Sequence, residues 1–164
     1  MTIQDLGSIG ELVSAIAILI TLVYLAVQVK YARMATVDRN RETRVNGIIE
    51  INNRLANNPD LRQAFDKTTG DEWKIMLQDF ASAWGVSVEE ASAVFWTQSD
   101  FVWLHWAQYR STKTIEDQNE LENIVRFWYS APPTSTMMEN DTFRSIYDPD
   151  FIAWVDTILP TGDV

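Results

Sequence analysis

The 164-residue chain has no cysteine and one histidine. The first absence excludes disulfides, thiolate catalysis and cysteine-held zinc or iron–sulfur sites. It also fits a reducing compartment. The second absence is nearly as restrictive. A di-iron bundle site needs two Glu-x-x-His motifs, and a histidine zinc site normally needs two or three ligands. A Ser-His-Asp triad would have to use His105 with Ser99 or Asp100, and on a helix neither stands one turn away. Neither G-x-x-x-x-G-K nor G-x-G-x-x-G occurs, so no phosphate-binding glycine loop is present. These absences lead to an expectation of no catalytic residue, no metal and no cofactor. His105 lies on the apolar side made by Val94, Phe95, Phe101, Val102 and Tyr109, which suits a hydrogen-bonded core histidine.

Positive charge is missing from one region only. Residues 1–29 hold Asp5 and Glu11 but no Lys or Arg. Residues 30–54 hold six bases and three acids; residues 55–164 hold seven bases and eighteen acids. The formal charge of −10 therefore resides mostly in the last part. An acidic domain is repelled by nucleic acid, which excludes that class of partner. The acidic pairs Glu89-Glu90, Glu116-Asp117 and Asp148/Asp150 precede helical patterns, where they complement the helix dipole more readily than they bind metal.

What the chain does have is a long uncharged run, LVSAIAILITLVYLAVQV, at residues 12–29. At about 1.5 Å per residue it just spans a hydrocarbon core of roughly 30 Å. A cleaved signal peptide would need a basic start, and MTIQDLGSIGE has none. A buried soluble helix would not need apolar residues on every side. A membrane span is the expected reading. Lys30, Arg33, Arg39, Arg41 and Arg44 follow the run at once. By the positive-inside rule they place the N-terminus outside and the remainder in the cytoplasm, with the five bases as a collar for lipid headgroups. Tyr24 and Tyr31 fall near the inner boundary, where amphipathic rings favour the interface.

The span is patterned. Gly7, Gly10, Ser14, Ala17, Thr21, Tyr24 and Gln28 follow steps of three and four, and through Thr21 all are small. Leu12, Ile16, Leu19, Val23 and Val27 take the opposite side. A stripe of small residues lets two backbones approach, and Ser, Thr or Gln then bond across the contact. The pattern predicts a partner-helix interface at Gly7, Gly10, Ser14, Ala17, Thr21 and Gln28. A second copy and another membrane protein are equally open as the partner.

Beyond the span every signal is helical, and no segment alternates at period two. The expected fold is all-α: a tail and transmembrane helix at 1–30, a basic juxtamembrane helix at 31–57 and an acidic, aromatic-rich helical domain at 58–164. Asn58-Pro59 opens a short helix, Asp71 caps the next, and Gly85 stops it. Ser87-Val88-Glu89-Glu90 is a capping box for a long helix to about Ser111. Thr114 starts another helix, Thr136 to Glu139 reads as one more capping box, and Asp148-Pro149 opens the last.

All seven tryptophans lie between Trp73 and Trp154. At 100° per residue, Phe95, Phe101, Trp106 and Tyr109 share a core face. Trp96 and Trp103 lie off it. They either pack on another helix of the same domain or dock a partner or the membrane interface. Trp96, Trp103, Trp106 and Trp128 are the candidates for such docking or for the wall of a ligand pocket.

Residues 11–17, Glu-Leu-Val-Ser-Ala-Ile-Ala, and 24–30, Tyr-Leu-Ala-Val-Gln-Val-Lys, resemble the anchor of a group of small bacterial membrane proteins. That anchor reads roughly E-x-x-G-A-I-A, then Y-L-A-x-Q-[IV]-[RK], ahead of an aromatic-rich helical domain. Phe127-Trp128, Phe143 and residues 150–156, Asp-Phe-Ile-Ala-Trp-Val-Asp, are similar in style to the C-terminal part of those proteins. Ser14 stands where glycine is common. The resemblance implies a bacterial source and the same architecture, with no catalytic residue to carry over. The functional expectation is a non-enzymatic single-span inner-membrane protein that contacts lipids and other transmembrane helices, as an accessory subunit of a complex or a homo-oligomer. A membrane-tethered ligand-binding or sensory module is the alternative. A carboxylate-based hydrolase would need two acids converging in one cleft.

Overall fold

A computed structural model describes residues 3–112 and 114–159, with side chains described from Gly10 onward. Eight helices follow one another and no strand occurs among the described residues: α1 (Ile3–Asn57), α2 (Pro59–Thr68), α3 (Asp71–Trp84), α4 (Val88–Ser111), α5 (Ile115–Tyr129), α6 (Thr134–Met138), α7 (Asp141–Arg144) and α8 (Pro149–Ile158). The expected all-α class, a long apolar N-terminal helix followed by a helical domain, is what the chain forms. Two compact units divide at residue 41, Met1–Arg41 and Glu42–Val164. The sequence suggested a juxtamembrane helix at 31–57 distinct from the domain. Its second half, from Glu42 to Asn57, instead belongs to the helical domain, where Val45, Asn52 and Leu55 are buried.

Local chemistry sets the helix ends. Asn58 accepts a hydrogen bond from the Leu61 amide at 3.0 Å, and Pro59 follows it at the first helical position. Arg62, itself buried, donates to the carbonyls of Leu55 and Ala56 at 3.1 and 2.7 Å, satisfying the last turn of α1. Gly85 ends α3 in the left-handed conformation, φ +69°. Both bonds of the Ser87–Glu90 capping box are made, at 3.2 and 2.9 Å. Thr114 caps α5 and Asp148 caps α8.

Two expectations need correction. The N-cap of α3 is Gly70, and Asp71 is the first helical residue. An acid there still faces the positive end of the helix dipole. Thr136 is not a cap. It lies inside α6, which starts at Thr134 after Pro133, and Glu139 follows that helix as its C-cap. Asn140 does the capping in this region, accepting from the Phe143 amide at 2.9 Å to open α7.

The core of the second unit runs along α4. Ala91, Phe95, Ser99, Val102 and His105 are buried at steps of three and four, and Ser92 is buried beside them. Met76, Leu77, Phe80 and Ala81 come from α3, Leu121, Val125 and Tyr129 from α5, and Phe151, Ile152 and Val155 from α8. Arg144 holds the C-terminal helices together: it forks onto Asp156 at 2.9 and 2.6 Å and donates to the Met138 carbonyl.

Candidate functional site

In the first unit, the uncharged run forms continuous helix within α1. From Leu12 to Val29 its large apolar side chains are between 41% and 65% exposed, on every side of the helix. The most apolar window has a mean hydropathy of 2.5 and no part of it is buried. By length and composition this helix can cross a membrane, which is compatible with a single-span protein. Burial distinguishes it from a soluble core helix, whose apolar surface is covered.

Gly10, Ser14, Ala17, Thr21 and Gln28 are all exposed on this helix; Gly7 lies outside the residues whose side chains are described. A Cβ added at Gly10 would meet nothing within 4 Å. The stripe is thus open to a neighbour. Thr21 differs from the sequence expectation in one respect. Its hydroxyl donates to the Ala17 carbonyl at 2.8 Å, so its proton is used within its own helix and its oxygen remains an acceptor. In the collar, Lys30, Arg33, Arg39 and Arg44 are exposed, while Arg41 pairs with Asp38 at 3.1 Å.

The four singled-out tryptophans separate. Trp96 sits among Phe65 of α2, Trp73 of α3 and Phe95, with ring centroids 5.3, 5.2 and 5.2 Å away. Trp103 and Trp106 meet edge to face, and Trp103 also meets Tyr147 at 4.8 Å. All three pack against the domain's own core. α4 is flanked by α2, α3 and α5, so the side outside a single helical stripe is covered as well. Trp128 is different: it is 43% exposed, stacks on Phe101 at 5.1 Å and adjoins the more exposed Phe127. Phe101, expected in the core, therefore belongs to this half-buried aromatic edge. A polar depression of about 300 Å³ lined by Gln108, Ser111, Thr112, Asp117, Glu120, Leu121 and Ile124 includes none of the four tryptophans.

His105 is a core histidine, as its apolar surroundings predict. It is 3% exposed and its Nδ1 lies 3.2 Å from the Tyr129 hydroxyl. Burial lowers its pKa to about 4, so the ring is neutral near pH 7. Burial pushes the Tyr129 phenol above its ordinary value.

A second polar contact was not visible in the sequence. Asn52, buried near the end of α1, donates from Nδ2 to Oδ1 of Asp100 on α4 at 2.8 Å. Burial raises the Asp100 carboxyl to about 6, against the lowering effect of the Asn52 bond. Tyr147, between α7 and α8, feels the charge of Asp100, and its buried hydroxyl has no hydrogen-bond partner. The acidic pairs, by contrast, serve the helix starts: Glu90 is held below the usual carboxylate range by the Ser87 backbone amide, and Glu116, Asp117 and Asp150 occupy first turns.

Compared with known protein families, curated proteins and solved structures, the chain matches none.

Proposed function

We propose that the chain is a single-span protein of a bacterial inner membrane, with its acidic N-terminus outside and its helical domain in the cytoplasm. It acts without catalysis, through association of its membrane helix with another helix, as an accessory subunit of a complex or as a homo-oligomer. One observation carries this reading: eighteen uncharged residues form a helix whose apolar side chains are exposed in every direction. In water such a surface is costly, at roughly 25 cal/mol per Å² of apolar area, whereas in lipid it is solvated. The charge step at Lys30 supports the orientation. The exposed small residues from Gly10 to Thr21 support helix pairing, since close backbone approach is what drives association where lipid removes the hydrophobic effect. The likeness of residues 11–17 and 24–30 to bacterial anchors supports the source. The burial of His105 against Tyr129 supports a structural rather than catalytic histidine.

The test is the mass of the protein after extraction in mild detergent. The wild type is expected to run as an oligomer or with a co-purifying membrane partner, and Ser14→Leu or Thr21→Leu to run alone. A monomer in all three cases defeats the pairing reading. Release of the protein from membranes by alkaline carbonate defeats the span itself.

A further inference from the structure

Helices α2 and α3 and the first turn of α4 line a groove of about 460 Å³ that includes none of the tryptophans. Small-molecule sites typically measure about 300–1,000 Å³. Leu77 and Val88 are part of its apolar lining. Three bases, Arg62, Lys67 and Lys74, and three acids, Asp60, Asp66 and Glu89, line it as well. Opposite charges on the walls of one groove attract, yet among the described residues none of these six forms a salt bridge with another. Lys74 pairs with Asp71, which is outside the lining, at 3.6 Å. Lys67 donates to Gln63 at 3.0 Å, and Asp66 accepts from the Trp73 indole at 3.0 Å. Arg62 is buried and uses Nη1 alone, for the carbonyls of Leu55 and Ala56. Its Nη2 and Nε have no hydrogen-bond partner among the described residues. Glu90 closes the capping box of α4, so Glu89 beside it has no part in the cap.

The lining is thus neutral in sum and charged in pattern. A simple anion would be drawn to the bases but repelled by the acids, and a simple cation the reverse. A molecule that carries a carboxylate and an ammonium together satisfies both sets. We propose that this groove binds a free α-amino acid with an apolar side chain. The carboxylate turns to Arg62 and Lys67, where a guanidinium and an ammonium give charge-assisted hydrogen bonds. The ammonium turns to Asp60 and Glu89, and the side chain covers Leu77 and Val88. The site lies wholly within the helical domain. It adds a binding function to helix pairing and does not depend on the membrane reading: a protein that binds no amino acid still has its span, and a monomeric one still has its groove.

The experiment is isothermal titration of the full-length protein in detergent micelles with L-leucine and L-valine, and separately with L-glutamate, acetate and methylamine. Tryptophan emission is followed in parallel, since Trp73 is bonded to a carboxylate of the groove. Leucine or valine should bind saturably at one site, and glutamate, acetate and methylamine roughly tenfold or more weakly. Lys67→Ala removes a partner of the carboxylate and Glu89→Gln a partner of the ammonium. Each should weaken binding about tenfold, the loss expected for a hydrogen bond to a charged group. Both side chains are exposed, so the thermal midpoint of the unliganded protein should hardly move. Absence of saturable binding by leucine and valine overturns the proposal. Acetate or methylamine binding as tightly as leucine overturns the two-sign recognition. Leucine binding left intact in both variants places the ligand elsewhere and overturns the assignment to this groove.

Discussion

Two side chains in the domain titrate against each other. His105 is held neutral by burial, with its pKa lowered from 6.5 to about 4. An unfolded chain therefore binds a proton there that the folded one refuses, and stability falls as pH drops from 6.5 toward 4. For Asp100 the shift runs upward, from 3.8 to about 6. Here the folded chain holds the proton more tightly, so stability rises as pH drops from 6 toward 3.8. The two windows overlap and the slopes oppose. For His105 the full effect is about 3 kcal/mol; for the half-buried Asp100 solvent screening makes it smaller. The wild-type domain should thus show only a shallow loss of stability between about pH 6.5 and pH 4. Asp100→Asn should uncover the steep acid destabilisation of His105, whereas His105→Gln should reverse the slope and make the domain more stable in acid. Urea denaturation followed by tryptophan fluorescence at several pH values measures both, and parallel slopes in the three proteins would contradict the argument. His105 was legible as a core residue because its apolar neighbours lie within one helix. Asp100 was not. Its role depends on Asn52, and which polar group meets which across two helices is decided by packing, not by any local pattern.

At the scale of the element, the readable signals are those confined to a few residues. Asn58-Pro59, Gly85, Ser87 to Glu90, Thr114 and Asp148-Pro149 all fall where the chain turns into or out of a helix. A cap is made by atoms three residues apart, so sequence contains the whole interaction. Thr136 to Glu139 carries the letters of a cap without forming one. The pattern Thr-x-x-Glu is present, but the backbone before Thr136 is already helical from Thr134, and a cap residue needs extended backbone. Burial is less legible in the sequence than helix position. A helical wheel predicts one apolar stripe for α4, whereas neighbours on several sides cover Trp96 as well as Phe95. The α3–α4 connection makes the sharpest prediction here. Gly85→Ala places a Cβ at φ +69°, which costs about 1 kcal/mol, and Ser87→Ala removes the cap, which costs about 1 kcal/mol. The neighbouring sites share one turn, so the double variant should lose somewhat less than the sum. Thermal unfolding read by tryptophan emission should show a lower midpoint for each single variant. An unchanged midpoint for Ser87→Ala would show that the capping box contributes nothing to this domain.

For the molecule as a whole, the decisive quantity is where charge lies along the chain. The 29 residues before Lys30 contain no base, and the acidic residues beyond 55 do not counteract the collar, because topology responds to Lys and Arg near a span and little to Asp and Glu. In the proposed topology, orientation rests on Lys30, Arg33, Arg39, Arg41 and Arg44, not on the net charge of −10. This separates two explanations that composition alone confuses. If net charge governed, the strongly acidic C-terminal region would be the part exported. If local basic residues govern, it stays inside, and moving the bases moves the protein. The variant that decides between them replaces Lys30, Arg33 and Arg39 with Gln and adds three Lys before Leu12. In right-side-out spheroplasts the wild-type C-terminal region should resist added protease, and the variant should become cleavable in a substantial fraction of molecules. Sites in residues 55–164 report this directly, since all seven tryptophans lie in that stretch and its fragments are easily recognised by absorbance. Cleavage of the wild type from outside would reverse the assignment and leave the acidic domain facing the periplasm. Full protection of the variant would mean that the helix of residues 12–29 takes its direction from a partner helix instead of from its flanks, which would strengthen the case that the small-residue stripe is engaged during insertion.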